Sequence, residues 1–306
     1  MNKKLLSWLL LVSFASFGSV SASGQQESVR PPGAIKVAKV TGSVTATKDG
    51  DTITLESGSE LTQGYVVNTA NDSSVVLVFS NGASVNLAHD SSLSIDEFLQ
   101  DPFAEEISLA SMTAEPTVST TKLHLSRGEL VGNVKKLNAD AGSTFTVNTP
   151  VGAAGIRGTT FRIVFRPDGT GRAFFSLTTV EGNVVLASGT VNMPSELSIP
   201  DNQEVEVLFD VEVDATTGVV TVTAGPSTPV VVTTTTPQTQ AAVAAQVQET
   251  ATAVATVVIT SAPARAATPT PTTTTTTTTT EEKTEVGTTG PPATSSTPRT
   301  TSGDGR

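Results

Sequence analysis

The chain has 306 residues, a net charge of -11, no cysteine and two histidines. Its acidity lies between residues 23 and 225, where 24 acids face 12 bases. Such a surface repels phosphate, which excludes nucleic acid and anionic membrane surfaces as partners, and the missing cysteine excludes disulfides and an acylated cysteine anchor.

Lys3 and Lys4 precede an apolar run from Leu5 to about Phe17, and the small residues Ser21 and Ala22 follow. Charge, apolar run and small residues in that order predict a cleaved export signal over residues 1–22. The run is too short to cross a hydrocarbon core of roughly 30 Å as a helix. No later stretch is long enough either, the best being residues 254–259, broken by Thr256. The expectation is an exported protein of the periplasm, cell surface or extracellular space, with no membrane span after signal cleavage.

Residues 33–225 read as one all-β domain. Ile35, Val37 and Val40 alternate with Lys36 and Lys39, and the segments around Val85, Leu93 and Leu123 alternate in the same way. Period-2 alternation marks half-buried strands. The more continuous run of Val75, Val76, Leu77, Val78 and Phe79 predicts an interior strand. Asp49-Gly50, Asn81-Gly82 and Asp168-Gly169 are tight-turn pairs. Two segments echo each other, Gly64 to Thr69 and, after Gly142, Phe145 to Thr149, each ending in Asn-Thr. Repeated turn-and-strand units suggest a coiled antiparallel sheet of β-solenoid type, or a two-sheet sandwich. Residues 99–121 interrupt the pattern with Pro102, Glu105, Glu106 and Pro116. They predict an exposed, mobile insertion with a helical turn around residues 104–112.

The most distinctive segment follows. Pro150 cannot donate to a ladder and ends one strand. Gly152, Gly155 and Gly158 are spaced in threes, which lets the backbone pack closely and turn. Alternation resumes from Thr160 to Phe165. The three glycines fit neither a dinucleotide fingerprint nor a Walker loop, so they predict a structural turn.

At these residues the chain resembles the FecR family, whose signature runs Thr-Pro, then Val or Ile, Arg-Gly-Thr, one residue and Phe, between two strands. The match is carried by Thr149, Pro150, Ile156, Arg157, Gly158, Thr159 and Phe161, with Gly152 and Gly155 inside it. The resemblance spans roughly residues 33–209. It implies an extracytoplasmic β-solenoid-like domain of the kind that relays signals from outer-membrane transporters to cytoplasmic sigma factors. This chain departs from that plan, because an export signal stands where those regulators carry a cytoplasmic anti-sigma domain.

Other candidates read as surface features. Arg157 is suited either to grip a partner's carboxylate or to cap backbone carbonyls at its turn, and the turn geometry favours capping. His89 and His124 lack the neighbours of a zinc site or a catalytic triad. Asp210, Glu212 and Asp214 alternate along a strand, and a solvated face fits them better than a calcium site. No catalytic residue, metal or cofactor is expected. Residues 226–306 are rich in Thr, Pro and Ala, with nine consecutive threonines at 272–280. Such composition predicts a largely disordered tail, relieved by a marginal helix over residues 238–258. The expected role is that of a non-enzymatic binding or scaffold module for a protein or cell-envelope glycan. The alternative is a signalling component that binds a separately made protein.

Overall fold

The computed structural model describes residues 30–261 except 105, 191, 227 and 228. The expected export signal and the threonine run lie outside the described residues. Among the described residues no helix is long and apolar enough to cross a membrane.

The chain opens with β1 (Ile35–Thr41), the hairpin β2 (Val44–Lys48) and β3 (Asp51–Thr54), and the short β4 (Glu60–Leu61). Then come β5 (Val66–Thr69), the hairpin β6 (Ser74–Phe79) and β7 (Ser84–Leu87), and β8 (Ser92–Gln100). The short β9 (Ile107–Ser108) precedes β10 (Ser119–Asn133), the longest strand. Next are β11 (Thr144–Thr149), β12 (Gly152–Ile156), β13 (Thr160–Pro167), β14 (Arg172–Glu181) and β15 (Asn183–Ala187). The last strands of the large network are β16 (Glu196–Pro200), β17 (Gln203–Val213), β18 (Val220–Ala224) and β19 (Thr233–Thr234). The helix α1 (Pro237–Val254) and β20 (Val258–Ile259) complete the order.

Apart from β9 and β20, which pair only with each other, these strands form two sheets that share β10. Residues 119–127 of β10 pair with β8 and β11, whereas residues 128–133 pair with β7 and β13. The first sheet runs β3-β2-β5-β8-β10-β11-β12-β15-β16. The second runs β1-β6-β7-β10-β13-β14-β17, with β18 and β19 along β17. The crossing sits at Gly128, where φ is +102° and the pairing register shifts between Leu125 and Arg127. Any side chain at Gly128 would overlap Ser91, whose hydroxyl oxygen lies 2.0 Å from where a Cβ would stand. A bulge at a strand that switches sheets is how a two-sheet core turns a corner.

The inward residues of both sheets form one apolar cluster. Phe79 stands edge-on to Phe98 at 5.2 Å and to Phe145 at 6.4 Å, and Phe175 to Phe209 at 6.3 Å. Each such ring contributes on the order of 1.5–3 kcal/mol through burial. With no disulfide to help, this packing is the main stabilising term.

The all-β expectation holds, but no solenoid forms. A solenoid stacks equivalent strands of successive coils in parallel, whereas every pairing between named strands is antiparallel except that of β10 with β11. Tight turns force that result, since neighbours joined by two or three residues must run in opposite directions. Asp49 and Gly50 supply one such turn with φ of +53° and +92°.

Two further expectations need correction. The segment 99–121 is not a purely exposed insertion: its ends belong to β8 and β10, and Leu109 and Met112 are buried. They pack with Val78 and Ile259 against the second sheet, and the predicted helical turn is a single 3-10 turn at Leu109–Ser111. Order also continues past residue 225. The helix expected at 238–258 is α1, which buries Val243 and Thr250 against the sheet. Thr236 caps it by accepting from the Thr239 N–H at 3.1 Å, and Pro237 opens it where a missing N–H costs nothing.

Candidate functional site

The signature is a hairpin and the turn after it. Thr149 pairs with Gly152, which leaves Pro150 and Val151 as a two-residue turn. The Thr149 hydroxyl accepts from the Val151 and Gly152 N–H groups and donates to the Gly152 carbonyl at 3.0 Å. Thr69, the echo of Thr149, braces another turn by accepting from the Ser91 N–H at 2.9 Å and donating to the Ala88 carbonyl at 2.6 Å. The repeated Asn-Thr therefore has a local cause, a strand end held by a threonine hydroxyl.

The remaining signature residues are mostly packing. Gly152 lies against the Ala187 carbonyl, with 2.4 Å where a Cβ would stand, whereas Gly155 has ordinary space. Ile156, Thr159 and Phe161 are buried, and the Phe161 ring fills the place that a side chain at Gly132 would take. Gly158 turns with φ of +64° directly beside the Lys136 backbone, whose Cα lies 3.1 Å from the place of a Cβ.

Arg157 differs. It is exposed, and its guanidinium makes no hydrogen bond or ion pair among the described residues. The expected carbonyl cap is therefore not made. Of the bases between residues 30 and 261, only Arg127, Lys135, Lys136 and Arg157 lack such a partner among the described residues. Arg157 and Lys136 share the turn, because the Lys136 backbone runs beside Gly158 and Arg157 precedes it, whereas Lys135 lines the space beneath α1. Glu181, next to the neighbouring Gly182 turn, is exposed and pairs with none of them.

A second polar cluster was not foreseen. Glu129 is 8% exposed on the outer face of β10. It accepts from Arg162 at 2.7 Å and Gln246 at 2.8 Å, and Arg166 lies 3.4 Å away. Burial would raise the Glu129 carboxyl; the hydrogen bond and charge of Arg162, then Gln246 and Arg166, outweigh it and hold the group below the usual carboxylate range. Arg162 and Arg166 share one strand face by period 2, which was the available sequence signal. Gln246 belongs to α1, so the cluster also fastens the helix. Lys39 with Glu249 at 2.7 Å and Asn86 with Thr250 at 3.3 Å add two more fastenings.

The two histidines lie apart. His89 is near Asp90 at 3.2 Å and Arg166 at 3.5 Å, and His124 is half-buried on β10. Asp210 and Glu212 are exposed on β17, while Asp214 caps the following turn. The Thr217 and then the Thr216 N–H hold the Asp214 carboxyl below its ordinary range. Among the described residues no group of three or more acids and histidines could hold a metal ion.

Residues 65–185 match the FecR protein family. The chain carries a FecR domain. The match begins just before β5 and ends within β15, so it holds the whole signature hairpin and the Arg157 turn. No curated protein matches the chain in sequence. Two crystal structures, at 2.50 and 1.65 Å, of a candidate anti-sigma factor from Parabacteroides distasonis are similar at 14% identity. Their TM-scores are 0.37 and 0.36, over 58% of this chain and 62% and 63% of that protein. The chain thus spans less than two thirds of that protein's length, and at those scores neither fold nor role carries over. The FecR domain is also smaller than the ordered structure, since β1–β4 and everything from β16 to β20 lie outside it.

Proposed function

We propose that the chain is an exported, non-enzymatic module whose FecR domain binds an acidic segment of a partner protein. The observation that carries this reading is the cluster of unpaired cations at the signature turn. An acidic domain that pairs most of its bases internally leaves Arg157 and Lys136 without a counterion in one place. Complementary charge there speeds encounter and fixes orientation, and a planar guanidinium suits bidentate carboxylate contacts. Export rests on the leader pattern of residues 1–22.

A second reading is favoured by the family match: the partner belongs to a signalling pathway of the kind FecR regulators serve. Crosslinking and pull-down from intact cells tests both readings. The protein should capture a discrete protein partner, and capture should fall at high salt and with Arg157→Ala combined with Lys136→Ala. A transporter or an anti-sigma protein in the captured band would favour signalling. Capture of envelope glycan alone, or a partner held equally by the double variant, would overturn the proposal.

A further inference from the structure

We infer that the space between α1 and the outer face of the second sheet is a binding site for a small anionic amphiphile, a medium-chain carboxylate. This goes beyond partner recognition at the Arg157 turn and does not depend on it. Val243, Val247 and Val254 lie along one helix face at spacings of four and seven residues, with Ala251 among them. Val243 is fully buried against the sheet, but further along the seam Val247 and Val254 are only partly covered and Ala251 is exposed. The reason is the small size of what meets there, since alanine on the helix faces Gly82 and Ser84 across the gap. The result is a cavity of about 300 Å³, walled mainly by Val131, Leu109, Val247 and Val254, with Ser84, Asn133 and Thr250 also on its lining.

Apolar walls left without contact lose their packing attraction, so an apolar occupant is favoured. At roughly 30 Å³ per water the space holds on the order of ten non-hydrogen atoms, the size of octanoate. The head group is set by Lys135, which lines the same cavity and has no ion pair or hydrogen bond among the described residues. Lys135 follows the end of β10 by two residues and keeps its alternation: Val131, Asn133 and Lys135 line the cavity, while Leu130 and Val134 enter the core. An ammonium at one edge of an apolar slot fits a carboxylate whose chain lies inside.

The test is calorimetric titration of the full-length protein with octanoate and with octanol. Octanoate should bind saturably at one site, and octanol about tenfold more weakly, as expected for loss of one charged hydrogen bond. Lys135→Met should weaken octanoate about tenfold and leave octanol unchanged. Val247→Phe combined with Ala251→Phe fills the space and should abolish both, with the far-UV spectrum retained. Absence of saturable octanoate binding would overturn the assignment. So would binding that survives the filled-cavity variant in a folded protein, or equal binding of acid and alcohol. Partner capture should be unchanged in the filled-cavity variant, and octanoate binding unchanged in Arg157→Ala, so the two proposals fail separately.

Discussion

At the scale of single residues, Gly128 and Arg157 make opposite predictions. Gly128 combines a positive φ with close contact against Ser91, whose Cα lies 2.5 Å from the place of a Cβ. Alanine there must strain the backbone and push a neighbouring main chain, each costing roughly 1–3 kcal/mol. Gly128→Ala should therefore lower the melting temperature by roughly 4–24 °C. Ser91→Gly should not rescue it, because backbone atoms remain in the way; full recovery in the double variant would show that only the serine side chain was limiting. The Arg157 guanidinium has no polar partner in the fold, so Arg157→Ala should shift melting by no more than about 2 °C. A larger loss would mean that the guanidinium caps the turn after all. The sequence marked Arg157 but not its lack of a partner. Glycine spacing showed that the backbone must turn closely, and only the folded hydrogen-bond network showed that the Arg157 guanidinium takes no part in it.

At the scale of elements, the sequence made strands legible and their surroundings much less so. Alternation around Ile35, Val85 and Leu93 and the Asp49-Gly50 pair located real strands and a real turn. Alternation is blind to what lies on the outer side of a sheet, so it could not show that Leu109 and Met112 fold back over Val78. Nor could composition reveal that an Ala- and Gln-rich stretch would dock, because the docking uses Glu129, Asn86 and Lys39, which are distant in sequence. The Glu129 cluster makes this testable. Its carboxyl is held below the ordinary value, so its contribution to stability is complete above pH about 4.3 and is lost as the pH falls through the lowered native value. Glu129→Gln should destabilise the protein at pH 7 by about 2 kcal/mol. That is less than for a fully buried pair, because Arg162 and Arg166 keep part of their surface in water. The gap between the variant and the parent should narrow below pH about 4. Thermal melts from acid to neutral pH check this, and a gap that stayed constant with pH would refute a titrating role for Glu129.

At the scale of the whole molecule, the ordered structure and the family match have different limits. The FecR match covers residues 65–185, yet β1 is paired to β6 and β17 to β14, so strands on both sides of the match complete the second sheet. The apolar cluster draws on all of them, from Ile35 to Val211. Excising residues 65–185 would remove partners from β6 and β14 and expose the core, and it should yield no cooperative fold. α1 stands differently. Its one fully buried apolar side chain, Val243, lies outside that central cluster, and the patch around Val78 and Ile259 is separate from it. A chain ending after Thr235 should therefore keep one cooperative unfolding transition while losing the helix. Loss of the burial of Val243 and Ile259, and of the fastenings to Glu129, Lys39 and Asn86, should lower its stability. Denaturant titration of the shortened chain, followed by circular dichroism, should then give one midpoint, shifted to lower denaturant. A second transition, or a chain that no longer folds, would mean that α1 completes the core, and the β-domain could no longer be considered a unit apart from its helix.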